Sequence, residues 1–196
     1  HDSSSFILAS GSPRRRELLA GAGYNFRVVV PDIDESAFVA EGIEAGEYAK
    51  RLALAKARSV AEKFRDSLVV GADTVVDFGG EIIGKAAEAK EAEQITVKLF
   101  SAPHRVVTGV AIIRLSDGTE LVESDSTTVY PRRMTPEQIA EHIAGGTWRD
   151  KAGAYAIQED GDEFVERIEG SLTNVLGLPM EMLRQMMGRI ASKMQE

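Results

Sequence analysis

The chain has 196 residues, enough for one sizeable domain with its own buried core. Hydrophobic residues at 43% and charged residues at 28% mark a globular chain, and a net charge of −8 leaves no general basic face for tracking a nucleic-acid backbone. No cysteine is present, which excludes disulfides, thiolate catalysis and cysteine-ligated zinc.

The opening HDSSS reads as a processed or tag-derived end (residues 1–5), leaving 6–196 as a single domain. No apolar run is long enough to span a membrane and no secretory segment precedes Phe6, so a cytoplasmic protein without a membrane partner is expected. Residues 6–10, FILAS, read as a short buried strand. Ser12 is a good N-cap and Pro13 suits the first helical position, so a helix starts there. Arg14, Arg15 and Arg16 then fall in its first turn, where the helix dipole favours carboxylates. A phosphate bound at Ser10, Gly11 and Ser12 would reverse that penalty, because backbone N–H groups point outward at such a turn. Three solvated arginines are the alternative, and Arg16 reads as solvated in either case.

Residues 26–33 are a second apolar run, stopped by Pro31 and ending in an acidic cluster of Asp32, Asp34 and Glu35. Residues 46–64 predict a strong helix, with apolar or small residues at 49, 52, 53, 57, 60 and 64. Lys56 falls in the middle of that apolar stripe and requires a carboxylate, a bound anion or a route for its ammonium to water. Residues 67–78 are β-rich, and Gly79-Gly80 turns them into a hairpin. Asp73 is a carboxylate inside this apolar run. Either a buried salt bridge or a divalent cation would compensate it, and Gly71 and Thr74 beside it leave space for a ligand.

Residues 88–100 predict a helix packing Ala92, Ile95 and Leu99 on one face. Residues 104–131 form two long strands around Asp117-Gly118, a pair that type I′ turns prefer. Thr135 to Gln138 is a capping box with proline at N1, opening a helix that stops near Gly145-Gly146. Residues 151–161 read as an ordered loop carrying Lys151 and Gln158, whose amide is able to read a base edge. Residues 163–170 hold a strand, and the segment after Pro179 is a helix with Met180, Leu183, Met187, Ile190 and Met194 at core spacing. Hairpins among alternating strands and helices give an α/β fold with a mixed sheet.

The unusual residues are several cations, a buried carboxylate with an acidic partner, and a helix N-terminus, without an evident nucleophile–base pair. That is the equipment of phosphoryl chemistry done by metal and water. Neither a Walker sequence nor the Rossmann glycine fingerprint occurs. The segments ASGSPRR, GADTVV, TGV, DKAGAYAIQ and GLP stand in the order seen in the Maf family of nucleoside triphosphate pyrophosphatases, which the chain resembles from Phe6 to beyond Pro179.

The resemblance implies a fold similar to the inosine triphosphate pyrophosphatases, a long mixed sheet with flanking helices and two lobes around a cleft. It implies hydrolysis of a nucleoside triphosphate to the monophosphate and pyrophosphate with a divalent metal, commonly in a homodimer. The first and fourth segments look like the branch acting on dTTP and UTP. By position, Arg14, Thr74 and Gln158 become specificity determinants and Asp73 the proton acceptor. The expected mechanism has Asp73 and Glu35 hold magnesium or manganese while Asp73 activates water against the α-phosphorus. Arg14 or Arg15, Lys56, Lys85 and Lys151 then face the phosphates, helped by the backbone amides of Ser10, Gly11 and Ser12. Lys85-Ala86 stands where the family usually has Lys-Pro, which predicts a looser turn. A non-catalytic nucleotide-binding regulator of cell division is the alternative from another class, and a phosphatase releasing single phosphates is a third reading.

Overall fold

The computed structural model describes residues 5–153 and 164–193. Strand β1 (Phe6–Ala9) lies between β2 (Phe26–Val28) and β3 (Val69–Phe78) and runs parallel to both. On its other edge β3 pairs antiparallel with β5 (His104–Arg114), followed by β6 (Thr119–Pro131) and β7 (Val165–Glu169), also antiparallel. A short β4 (Glu81–Ile83) folds back on the end of β3. Among the described residues this makes one seven-stranded mixed sheet, the class expected from the hairpins.

The two hairpin turns obey different rules. Gly79 and Gly80 both take positive φ, 58° and 94°, and join Phe78 directly to Glu81 as a two-residue turn requires. The Asp117-Gly118 turn is not of that type. Arg114 pairs with Thr119 across a four-residue loop, and of the two turn residues Gly118 alone has positive φ, at 71°. The Asp117 carboxylate instead accepts the Thr119 amide at 3.0 Å and Arg114 Nε at 2.8 Å, pinning the loop from within.

Helix α2 (Ala45–Ala61) covers one face of the sheet, while α1 (Pro13–Gly21) and α6 (Met180–Lys193) cover the other. Strand alternation sorts β3 between them. Val69, Gly71, Asp73 and Val75 face α2, whereas Val70, Ala72, Thr74 and Val76 face away from it. The α2 seam is Ala49, Ala53 and Ala57, all buried, against glycines on the sheet. A Cβ on Gly71 would collide with the Ala53 carbonyl and sit 2.8 Å from the Ala57 amide nitrogen. One on Gly109 would collide with the Ala49 carbonyl and sit 2.6 Å from Lys50 N.

Helices α3 (Ala89–Leu99) and α4 (Pro136–Gly145) flank the far end, and the capping box of α4 forms as read from Thr135 and Gln138. A short α5 (Leu172–Val175) precedes α6. Within α6 the fully buried methionine is Met186, while Met187 is half-buried against the same core; Met194 lies outside the described residues. One core lies under α1 and α6 around Leu8, Leu19, Leu178 and Leu183. A second lies between α2 and the sheet around Ile7, Val60, Val69 and Ile113, and a third lies at the far end around Ile83, Leu99, Phe100 and Val129. The long strands β3, β5 and β6 run through both lobes.

Between the lobes the sheet has a gap. Strand β1 leaves β3 after the pair Ala9↔Gly71, and β4 joins only at Val76↔Ile83. Residues 72–75 therefore have no strand neighbour on that edge, and a cleft opens there.

His104 starts β5 in a buried position, with Nδ1 at 3.2 Å from the Ala102 carbonyl. Burial lowers its pKa, against backbone hydrogen bonds to Ala102 and Leu99 that raise it. The folded imidazole is thus held neutral where the unfolded one binds a proton. This contribution to stability is full above the unfolded pKa of about 6.5 and erodes as pH falls toward the lowered folded value. Urea unfolding at about pH 7.5 and about pH 5.5 is expected to show this loss, and His104→Gln to shrink the difference.

Candidate active site

The cleft encloses about 800 Å³ and is built from both lobes around the bare edge of β3. One wall is the turn from β1 into α1: Ser10, Gly11, Ser12, Pro13, Arg14 and Arg15. The floor is Glu35, Lys56, Asp73 and Thr74, and the opposite wall carries Lys85, Arg149, Asp150 and Lys151. Every expected site residue that is described thus lines one cavity; Gln158 lies outside the described residues.

Two of the anomalies in the sequence answer one another. Lys56 comes from the apolar stripe of α2 and Asp73 from the face of β3 turned toward it, so Nζ reaches Asp73 Oδ1 at 2.7 Å, with both side chains buried. The same ammonium lies 3.0 Å from Glu35 Oε1, whose side chain is 48% exposed at the cleft. Glu35 begins a single 3-10 turn (Glu35–Ala37) that Asp34 caps by accepting the Ser36 amide at 3.0 Å. Burial pushes the Glu35 carboxyl up, but Lys56, Lys85 and Arg15 outweigh it and leave the pKa lowered. Glu35 is therefore a carboxylate at neutral pH, poised at the mouth of the pair.

The arginine cluster is resolved by a division of labour. The first turn of α1 contains no acidic residue, as the sequence implied. Arg16 is exposed. Arg15 turns inward: Nε donates to the Gly177 carbonyl at 2.7 Å, Nη2 to Thr74 Oγ1 at 3.0 Å and Nη1 to Ser10 Oγ at 3.3 Å. Burial lowers its pKa, while the charges of Asp73 and Glu35 raise it. With its fork occupied, Arg15 is a clamp between lobes as much as a ligand for an anion, and Arg14 is the cleft arginine outside that clamp. One expected amide is also taken, since Ser12 N–H donates to Ser10 Oγ at 3.1 Å.

Thr74 sits at the centre of this clamp. Its hydroxyl shares a hydrogen bond with Thr108 Oγ1 at 2.9 Å, and Thr108 donates to the Asn174 carbonyl at 3.1 Å. Asn174 is wholly buried and its Nδ2 donates to Val106 O and Thr127 Oγ1, both at 3.0 Å. Sequence reasoning missed Asn174 and Arg149. An asparagine beside Val175, in a stretch otherwise bounded by the apolar Leu172 and Leu176, was the available signal for the first. For Arg149 the chain offered none, because its place at the cleft depends on the fold of the Trp148 region.

Lys85 is placed by backbone contacts: a bridge pairs Lys85 with Ala152, and Gly153 N–H donates to Gly84 O at 3.1 Å. Ala86 packs on the Trp148 cluster. The turn expected to be loose without proline is held from outside by these contacts.

Among the described residues no three His, Asp or Glu side chains converge as a ready-made metal cage. Magnesium is usually held by one or two carboxylates with waters and substrate phosphates completing its shell. Asp73 and Glu35, brought together on one ammonium, are an oxygen donor pair of that kind, so the residues fit a hard divalent cation.

The mixed sheet, two lobes and central cleft define an α/β architecture shared with a solved structure of the Staphylococcus aureus Ham1 protein, at TM-score 0.52 and 14% identity, covering 94% of this chain and 98% of that one. That likeness concerns the fold alone. The chain belongs to the Maf family: the model described as Maf-like protein matches residues 5–190. A protein of Citrifermentans bemidjiense named dTTP/UTP pyrophosphatase is 47% identical over 177 residues, covering 90% of this chain and 91% of its own. Another of that name, from Dictyoglomus thermophilum, is 41% identical over 184 residues, covering 94% and 95%.

Proposed function

We propose that residues 6–196 act as one domain that hydrolyses a nucleoside triphosphate, dTTP or UTP, to the monophosphate and pyrophosphate. The observation that carries this reading is the Asp73–Lys56–Glu35 cluster on the floor of a cleft with cationic walls. The names of the relatives supply the reaction class.

In this reading the triphosphate is the counter-charge that the walls await. The lining holds Arg14, Arg15, Lys56, Lys85, Arg149 and Lys151 against Glu17, Glu35, Asp73 and Asp150, a positive local balance in a chain of net charge −8. Such a cleft focuses field at its mouth whatever the total charge. Arg14, Lys85 and Lys151 take the phosphate oxygens, with the amide end of α1 helping. Asp73 orients a water in line with the α-phosphorus and accepts its proton, since pyrophosphate is the leaving group. Lys56 fixes the Asp73 carboxylate in place and offsets charge building on the phosphoryl oxygens. Asp73 and Glu35 are the residues that would hold magnesium or manganese, which when bound supplies further neutralisation of those oxygens. Thr74, fixed by Arg15 and Thr108, and Gln158 are assigned to reading the base. We place the enzyme in the cytoplasm, as a homodimer without nucleic-acid or membrane partners; no helix among the described residues is long and apolar enough to cross a membrane.

The test is pyrophosphate release over a panel of nucleoside triphosphates with magnesium, manganese or chelator present. Release greatest for dTTP and UTP, and lost on chelation, is expected. Orthophosphate as the product points instead to a phosphatase, and nucleotide binding without turnover to a regulator.

A further inference from the structure

One cation of the cleft has no part in the reaction as assigned so far. Arg149 lines the cavity, is exposed, and forms no ion pair among the described residues. It is nevertheless held. Its guanidinium carbon lies 4.8 Å from the centroid of the Trp148 ring, and its amide donates to Gly146 O at 3.3 Å. Trp148 is itself anchored: the ring is buried against Ala92 and Ile143, and Nε1 donates to the Ile143 carbonyl at 2.9 Å. A stacked guanidinium keeps its fork of donors while losing much of its rotamer freedom, the state that suits bidentate grip of an oxyanion. The backbone sets the direction. Asp150 is the one non-glycine residue at positive φ (61°) among the described residues, and this kink leaves Arg149 and Lys151 both on the cleft wall.

We propose that Arg149 is a further substrate-binding residue, gripping the β- and γ-phosphates that depart as pyrophosphate. This rests on the reading of the cleft as a triphosphate site. The floor carboxylates define where the α-phosphorus is attacked, and the phosphates beyond it extend to a cationic wall. On that wall Lys85 and Lys151 offer point charges, whereas Arg149 offers a planar fork. Because the same group holds substrate and product, it strengthens ground-state binding and retains the leaving group rather than hastening the bond cleavage.

Trp148 is the sole tryptophan of the chain, so its fluorescence reports on this stack without recourse to activity. Titration with inorganic pyrophosphate in the presence of magnesium is expected to change Trp148 emission. In Arg149→Ala, calorimetry should give pyrophosphate affinity lower by about tenfold or more, as for loss of a charge-assisted contact. KM for the triphosphate rises by a similar factor with kcat within about twofold, and monophosphate affinity stays unchanged. Arg149→Lys recovers only part of the loss, because it keeps the charge without the fork. Pyrophosphate affinity of Arg149→Ala within about twofold of the parent overturns the proposal, as does equal weakening of the monophosphate. If the parent shows no turnover, the proposed activity fails, yet pyrophosphate calorimetry still decides Arg149 separately.

Discussion

Asp73→Asn is expected to lower pyrophosphate release by about two to four orders of magnitude while the protein stays folded. The amide keeps the shape of the side chain and an oxygen toward Lys56, but it neither accepts a proton nor contributes charge to a bound cation. Lys56 keeps Glu35 at 3.0 Å, so its ammonium is not stranded in the core. Asp77 provides the control. It lies on the same face of β3 as Asp73, is similarly buried and pairs with Arg105, yet it does not line the cleft. Asp77→Asn should therefore disturb stability and spare turnover. Steady-state rates beside thermal melts check both, and near-parental activity in Asp73→Asn would remove that carboxylate from the mechanism.

The largest stability effect is expected at Gly109. A methyl group there meets the Ala49 carbonyl and the Lys50 amide, which belong to the backbone of α2 and have no rotamer by which to withdraw. The helix must lift from the sheet, opening space beside Ala45, Ala49 and Val75. Gly109→Val should cost about 3 kcal/mol or more, a drop in Tm of about 6–12 °C for a chain of this size. Gly84, where a Cβ meets nothing within 4 Å, is the comparison position, and Gly84→Ala should melt near the parent. Equal melting of the two variants would mean that α2 rides the sheet more loosely than its contacts indicate.

What the sequence disclosed follows from which interactions are local. The capping box at Thr135, the glycine pair at 79 and 80 and the apolar stripe of α2 are settled by neighbours within a turn or two. The first two formed as read, and the stripe formed from Ala49 to Val60, with Phe64 falling beyond the helix end at Ala61. Lys56 and Asp73 were conspicuous because each broke a local pattern, although nothing in the chain stated that they break it for each other. Asp117-Gly118 looked like a hairpin pair, but side-chain bonds to Arg114 and Thr119 selected a longer loop. The choice between Arg14 and Arg15 was illegible because it depends on a carbonyl at Gly177, far along the chain. Arg149 was invisible for a related reason: its importance lies in the indole beneath it and in a cavity made by other elements.

The clamp of Arg15 onto Gly177 and Thr74 has a consequence during synthesis. Its Nε bond spans 162 positions of the chain, so the wall formed by Ser10 to Arg15 lacks its anchor until the region around Gly177 has left the ribosome. A nascent chain that has already made β1, α2 and β3 carries Asp73 and Lys56, but no fixed arginine and no seated Thr74. The arginine wall of the cleft is thus completed by a late part of the sequence, and a chain stopped before Gly177 lacks the carbonyl that anchors Arg15.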